Sequence, residues 1–358
     1  MSHSIKLGDS EILITQEAEN QLSNLIQVNS YSQLFVLVDE HTHHYCLTKF
    51  LKNISINIPI EVIEIPAGEA NKNIHTCIQV WEALAEFNAD RKSILVNLGG
   101  GVVTDLGGFI ACTYRRGIDF VHFPTSLLAM VDAAIGGKNG IDLGKLKNQV
   151  GVIQPPKKVY VDATYLATLP SQEMKSGLAE MLKHGLINDL NYWEKFENMH
   201  QMDASVLEEL IIESIQIKTS IVENDPNEKG LRKSLNFGHT LGHAIESHLL
   251  NHPEKHLLHG EAIAIGMILA SYLSVELNTL SQSELNRIVN LIGTYFKKVK
   301  FTKEDIEKII QLTQYDKKNS GNQVNYVLLN KIGSCKLDCL VPKEKIHDAF
   351  EYYASLKF

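Results

Sequence analysis

Six of the chain's fifteen histidines fall between residues 239 and 259: His239, His243, His248, His252, His256 and His259. His239 and His243 stand four apart in Asn236-Phe-Gly-His-Thr-Leu-Gly-His-Ala-Ile-Glu246. On a helix that spacing puts both side chains on one face. The glycines between them cost helix stability, so close packing or a close ligand is expected there. His259-Gly-Glu261 opens the next helix. A catalytic zinc takes three protein ligands and keeps one position open, so two or three of these histidines and one carboxylate would suffice. On ligand chemistry that carboxylate is Glu180, Glu246 or Glu261. Thr240 after His239 departs from H-E-x-x-H, which disfavours a zincin protease. His248, His252 and His256 read as solvated. Glu180, Lys183 and His184 share one helical face, a trio that also suits a surface ion pair.

A second chemistry-bearing segment is Leu98-Gly-Gly-Gly-Val-Val-Thr-Asp105-Leu-Gly-Gly108, which follows a strand and opens a helix. Glycines let a backbone approach a pyrophosphate, and helix N-terminal N–H groups point at the anion. Thr104 stands where G-x-G-x-x-G would close, so a tight turn without ligand is the competing reading. Asp39, ending an early strand, suits a ribose hydroxyl or a helix cap. Lys138 follows Gly136-Gly137, and Lys147-Asn148 lies close by. Arg116 sits in Tyr-Arg-Arg-Gly117, while Lys218, Arg232 and Asp316-Lys317-Lys318 come from later segments. Each alone is an ordinary surface charge; together they suit a phosphate or carboxylate substrate.

These residues need elements to hold them. Up to about residue 165, apolar runs at 34–38, 60–65, 93–98, 120–123 and 159–161 alternate with helical periodicity, as at 74–87. That predicts an α/β domain with a largely parallel sheet. Beyond 165 the pattern turns helical, over 172–187, 204–223, 237–248, 260–277, 281–296 and 303–315. Ser281 with Glu284 reads as a capping box. A late hairpin is expected over 324–329 and 334–340. The expected organisation is a sheet domain, 1–165, followed by a helical domain, 166–358.

At 358 residues the chain suits two domains. Its net charge of −8 argues against a dedicated nucleic-acid binder. The five scattered cysteines, including Cys335 and Cys339 in a strand-like segment, suggest reduced thiols and a cytoplasmic protein. No apolar leader opens the chain. The uncharged stretch between Glu261 and Glu276 is short for a bilayer span and reads as a core helix.

Taken together, these segments resemble the 3-dehydroquinate synthase family of sugar-phosphate cyclases. The motifs are Gly99–Phe109, Tyr114-Arg-Arg-Gly117, Phe123-Pro-Thr-Ser-Leu-Leu128, Val131-Asp-Ala-Ala-Ile-Gly-Gly-Lys138, Lys147-Asn148, Ala179-Glu-Met-Leu-Lys183, Arg232 through Glu246, His259-Gly-Glu261 and Asp316-Lys-Lys318. They run in family order over nearly the whole chain. The resemblance implies a Rossmann-like domain, a helical C-terminal domain and an active site in the cleft between them. It assigns zinc or cobalt to Glu180, His239 and His259, proton transfer to Glu228 and His243, and a further catalytic place, clamping phosphate with Arg116, to Lys138. Substrate would meet Arg116, Asp132, Lys138, Lys147, Asn148, Lys183, Lys218, Arg232, Asn236, His243 and Lys317. NAD would lie on Asp39, Glu69, Lys72, Gly100, Gly101, Val102, Asp105, Thr125, Ser126 and Thr168. The sequence departs from the family at Ser126, at Ala133-Ala134, at Asn139 and in the longer stretch 251–258. No charged or metal-binding position is lost.

The implied reaction turns 3-deoxy-D-arabino-heptulosonate 7-phosphate into 3-dehydroquinate and phosphate, the second step of the shikimate pathway. It runs by transient oxidation at C5, β-elimination, re-reduction, ring opening and an aldol closure, with NAD regenerated each turnover. The family also suggests a homodimer. Competing readings are another sugar-phosphate cyclase, a polyol dehydrogenase of the glycerol dehydrogenase type, and a non-catalytic nucleotide-binding regulator.

Overall fold

A computed structural model describes residues 2–144, 146–199, 203–250, 257–313 and 324–358. The chain divides into two compact units, Met1–Pro170 and Ser171–Phe358. The first contains, in order, β1 (His3–Leu7), β2 (Ser10–Ile14), α1 (Ala18–Asn29), β3 (Gln33–Asp39), α2 (Glu40–Thr42), α3 (Thr48–Asn53), β4 (Ile60–Ile65), α4 (Ile74–Glu86), β5 (Ser93–Gly99), α5 (Gly101–Thr113), β6 (Asp119–Pro124), β7 (Lys138–Leu143), β8 (Leu146–Ile153) and β9 (Lys158–Val161). Seven strands form one sheet in the order β1-β2-β9-β6-β5-β3-β4. Only β1 and β2 pair antiparallel; the other neighbours run parallel. β7 and β8 form a separate antiparallel hairpin.

Every residue of β5 is buried, as is Leu34–Val38 of β3. Such unbroken apolar runs belong to parallel strands covered on both faces. Phe35, Leu37 and Leu95 pack with Val80 and Leu84 of α4 and Val103, Leu106 and Ile110 of α5. From β3 the chain goes to β4 on one side, then returns to β5 on the other. The carboxyl ends of β3 and β5 therefore flank a topological switch point, where open α/β sheets bind ligands. Asp39 ends β3 and Gly99 ends β5.

Helix α5 lies close over a buried polar group. A Cβ on Gly108 would stand 1.9 Å from Asn139 Oδ1. Asn139 cannot yield easily, because its Nδ2 donates to Gln154 O at 2.7 Å and Gly137 O at 3.1 Å. Nearby, Asn97 Nδ2 meets His122 Nδ1 at 3.1 Å, and burial pushes His122 down to about 3, so it stays neutral. Alanine is favoured over glycine in a helix by about 1 kcal/mol. Overpacking outweighs that here, so Gly108→Ala is expected to lower stability by about 2 kcal/mol in urea denaturation. A wild-type midpoint would contradict this packing.

The second unit contains α6 (Ser171–Asn188), α7 (Leu190–Asn198), α8 (Ala204–Asn224), α9 (His239–Leu249), α10 (His259–Leu277), α11 (Gln282–Tyr295), α12 (Lys303–Thr313), the antiparallel pair β10 (Asn325–Lys331) and β11 (Ser334–Leu340), and α13 (Lys343–Ser355). α10 is its central helix, packed against α6, α9, α11 and α13. It is apolar almost all round and mostly buried, which marks a core helix. Among the described residues it is the one helix long and apolar enough to cross a membrane.

Several expectations need correction. The hairpins β1–β2 and β7–β8 and the helices α1, α7 and α13 go beyond the elements expected from sequence. Lys138 begins strand β7 rather than lying in a loop. His248 is not solvated: it is buried, with Nε2 2.9 Å from Asp305 Oδ1. The trio on α6 is no surface ion pair, since Glu180, Lys183 and His184 are all buried. His252, His256 and Asp316-Lys317-Lys318 lie outside the described residues.

Candidate active site

Three helices of the second unit bring a carboxylate and three imidazoles together. α6 carries Glu180, α9 carries His239 and His243, and α10 begins at His259. The glycines among the histidines allow this close crossing. A Cβ on Gly266 of α10 would stand 2.1 Å from Gly238 O, and one on Gly260 would stand 2.2 Å from Ser176 Cα of α6.

Glu180 Oε1 lies 3.4 Å from His239 Nε2 and 3.4 Å from His259 Nε2. It is fully buried. Each imidazole is oriented from its other nitrogen. His239 Nδ1 is 3.1 Å from Phe237 O, and His259 Nδ1 is 3.2 Å from Glu246 Oε2. Those acceptors engage Nδ1 and turn each Nε2 toward Glu180, the usual support of metal-binding histidines. Donor atoms about 2.1 Å from a tetrahedral ion stand about 3.4 Å apart, the spacing found here. The donor set therefore fits a divalent cation such as zinc or cobalt. His243 is near as well: ligand nitrogens of His239, His243 and His259 lie within 4.8 Å of one another.

Charge reinforces the arrangement. The ammonium of Lys183 pairs with the Oε2 side of Glu180, and both are buried. Burial favours the neutral acid, but Lys183 and His239 outweigh it and hold Glu180 well below the usual carboxylate range. Burial and Lys183 push His239 down. For His259, burial is outweighed by Glu246 and Glu180, which raise it to about 9. Of the three carboxylates open on ligand chemistry, Glu180 faces the histidines and Glu246 supports His259. Glu261 instead caps its own helix, accepting from Leu258 N at 2.9 Å. Cys335 and Cys339 lie on β11 and, among the described residues, join no group of metal-ligating side chains.

Cations and a strained loop stand in the same unit. Lys218 of α8 and Arg232 are buried, and Arg232 Nη1 donates to Pro226 O at 2.7 Å. Asp225 holds the intervening loop by accepting from the N–H groups of Lys229, Gly230 and Arg232. Within it Glu228 adopts φ +55°, and its Oε1 accepts from Asn236 Nδ2 at 2.9 Å. A left-handed non-glycine residue held by its surroundings often marks a functional loop.

In the first unit, the turn Gly99–Gly101 joins β5 to α5, and the N-cap Gly100 gives no side-chain cap. The first N–H groups of α5 are thus left for an anion. Thr125 N donates to Gly99 O at 3.0 Å, which sets Thr125 and Ser126 beside the turn. A Cβ on Gly100 would stand 3.3 Å from Ser126 Oγ, so a side chain there would narrow the cradle. Buried Lys72 donates to Asp105 Oδ2 at 2.5 Å and to Asn148 Oδ1 at 2.7 Å. Lys147 lies 3.3 Å from Glu69. Asp39 caps α2, with Oδ1 accepting from Thr42 N at 2.7 Å. This cradle fits a dinucleotide. Val102 is half-buried on α5, as is Asp132 further along the chain, while Lys138 is exposed. Thr168 is exposed at the end of this unit. Arg116 lies beyond the far end of α5, about 20 Å of helix from the glycine turn.

Sequence reasoning did not find Glu246 as a support of His259, or Asn97 and His122 under α5. Nothing local to those residues signals their partners, which lie 13 or more positions away.

Comparison with known proteins agrees with this architecture. The family described as 3-dehydroquinate synthase N-terminal matches residues 62–176, and 3-dehydroquinate synthase C-terminal matches 177–319. The chain is 38% identical to a 3-dehydroquinate synthase of Parabacteroides distasonis, over 97% of this chain and 98% of that one. It is 37% identical to that of Acetivibrio thermocellus, over 91% of each. Among solved structures, a 2-deoxy-scyllo-inosose synthase complexed with carbaglucose-6-phosphate, NAD+ and Co2+ aligns with TM-score 0.85 and 25% identity, covering 98% of this chain and 99% of that one. A glycerol dehydrogenase of Schizosaccharomyces pombe shares the fold more loosely, with TM-score 0.65 and 13% identity over 99% of this chain and 91% of that one.

A sheet unit followed by a helical unit, with these matches across both, defines a sugar-phosphate cyclase. The chain belongs to the 3-dehydroquinate synthase family. It is an enzyme of that kind, acting on a sugar phosphate.

Proposed function

We propose that the chain converts 3-deoxy-D-arabino-heptulosonate 7-phosphate to 3-dehydroquinate and phosphate, as a cytoplasmic homodimer. The observation that carries the site assignment is the convergence of Glu180 with two imidazoles whose other nitrogens are already engaged. Glu180, His239 and His259 would hold a zinc or cobalt ion, which when bound polarises a substrate hydroxyl and lowers its pKa. Asp39, Glu69, Lys72, Gly100, Gly101, Val102, Asp105, Thr125, Ser126 and Thr168 would hold NAD, whose nicotinamide supplies reversible hydride acceptance with no net consumption.

The chain's own side chains supply the rest. Lys218 and Arg232 are buried cations matched to the substrate's carboxylate and hydroxyls. Lys138, exposed at the start of β7, is matched to the phosphate, with Lys147, Asn148 and Asp132 placed to orient the sugar. Lys183 fixes Glu180 and presents its remaining donors to substrate oxygen. His243, half-buried and stacked edge-on 5.0 Å from His239 between ring centroids, carries protons at its ring nitrogens. Asn236 orients the Glu228 carboxylate for the same work. Lys317 completes the substrate set in this reading.

The test is phosphate release from that substrate by metal-loaded protein with catalytic NAD+. Stoichiometric phosphate and 3-dehydroquinate, without net NADH, are expected. No phosphate from metal-loaded protein would overturn the reading and direct the assay to other sugar phosphates and to polyols.

A further inference from the structure

We infer that Asp142, to which no role is assigned above, is a positioning residue that fixes Lys147 and Asn148 against Lys72. The inference rests on the proposed assignment of those three residues to ligand binding. Asp142 lies near the end of β7, and Asn148 lies on β8 just past the bulged end of the hairpin. Its Oδ1 accepts the backbone N–H of Asn148 at 2.7 Å. Its own N–H donates to Lys72 O at 2.8 Å. One residue therefore ties the 69–72 segment by its main chain and the hairpin by its side chain.

What it ties is not a relaxed strand. Asn148 has φ +52°, a left-handed conformation that asparagine tolerates but that needs support. In that conformation Asn148 Oδ1 receives Lys72 Nζ at 2.7 Å, and the adjacent Lys147 lies 3.3 Å from Glu69. Lys72 also holds Asp105 on α5, the helix that opens from the glycine turn. Without the acceptor on Asp142, the β8 backbone can relax toward ordinary φ. That would turn Asn148 away from Lys72 and swing Lys147 off Glu69.

The charge on Asp142 is not what the role requires. The half-buried carboxyl is pushed upward by burial, and the Asn148 N–H only partly offsets this. An amide oxygen at the same place would accept the same bond. Asp142→Asn therefore separates hydrogen bonding from charge, and Asp142→Ala removes both.

The experiment compares wild type, Asp142→Ala and Asp142→Asn as full-length, metal-loaded protein. It measures NAD+ affinity by calorimetry, KM and kcat for phosphate release, metal content, and amide hydrogen exchange at Asn148. For Asp142→Ala we expect NAD+ Kd and substrate KM to rise about tenfold, and Asn148 exchange to quicken by a similar factor, for one lost hydrogen bond. kcat and metal content should change less than about twofold. Asp142→Asn should restore all of these to within about twofold of wild type. Wild-type Kd, KM and exchange in Asp142→Ala would overturn the proposal. So would an Asp142→Asn protein as impaired as Asp142→Ala, because charge would then be the agent. If wild type itself releases no phosphate, the synthase reading fails, while Asn148 exchange and NAD+ affinity still decide the role of Asp142.

Discussion

Glu180→Gln is expected to abolish stable metal binding and, with it, turnover. Glu180 is the anionic member of the candidate ligand set, and its Oε1 stands 3.4 Å from both Nε2 atoms. Glutamine keeps the volume but removes the charge that a divalent cation needs in a buried site. It also leaves the buried ammonium of Lys183 without its anion. Losing a supporting contact typically costs ten- to a hundredfold in metal affinity, so Glu246→Ala, which removes the acceptor from His259 Nδ1, sets the smaller reference effect. For Glu180→Gln the fall in zinc or cobalt affinity should reach ~10³-fold, since a ligand rather than its support is lost. Metal analysis after gel filtration and phosphate release read the two losses separately. The wild-type protein should also melt lower after chelator treatment and recover on metal addition, because an ion bound only by the folded state stabilises it. Glu180→Gln should show no such shift. A variant retaining metal and turnover would move the site to the three imidazoles of His239, His243 and His259, whose nitrogens lie within 4.8 Å of one another.

That alternative shows how far the sequence alone reaches. Four-residue spacing puts His239 and His243 on one face, but it cannot rank His243 against a histidine on the next helix. Resemblance to a family chose Glu180 over Glu246 and Glu261; the structure gives the three carboxylates distinct physical roles. Glu261 had a local explanation from the start, because it lies three residues after Leu258 and caps α10. The buried runs of β3 and β5 were legible, since covered parallel strands are apolar on both faces. The β1–β2 hairpin was legible in principle, from alternation around Gly8-Asp9 with Gly8 at φ +57°. His248 was not. Its partner Asp305 lies 57 residues on, and only the packing of α9 against α12 makes that histidine a buried one. The same holds for Asn139, whose departure from the family pattern acquires meaning only when Gly108 is seen to lie against it. Long-range polar pairs leave no periodic trace.

Lys72→Met is expected to produce the second large effect, on stability and nucleotide affinity together. The Lys72 side chain is buried and joins Asp105 to Asn148. Burial alone would favour the neutral amine, but Asp105 and Glu69 outweigh it and raise the pKa, so the ammonium is charged throughout the physiological range. Removing it takes this cation away from the Asp105 carboxylate on α5. Breaking such a pair from one side costs about 3 kcal/mol, whereas replacing both partners with apolar groups is often near neutral. Lys72→Met should therefore lower urea stability by about 3 kcal/mol, and Lys72→Met combined with Asp105→Leu should recover more than half of that. Nucleotide affinity should not recover. Both residues face the proposed NAD cradle, so the single and double variants should each bind NAD+ at least ~100-fold more weakly than wild type, roughly two lost charge-assisted hydrogen bonds. Parallel denaturation and calorimetry separate the two quantities. A double variant that regains stability and also binds NAD+ like wild type would show that the pair serves only to join α5 to the hairpin. A single variant as stable as wild type would show that the pair adds nothing to folding, because water already reaches Asp105 well enough to replace the lost ammonium.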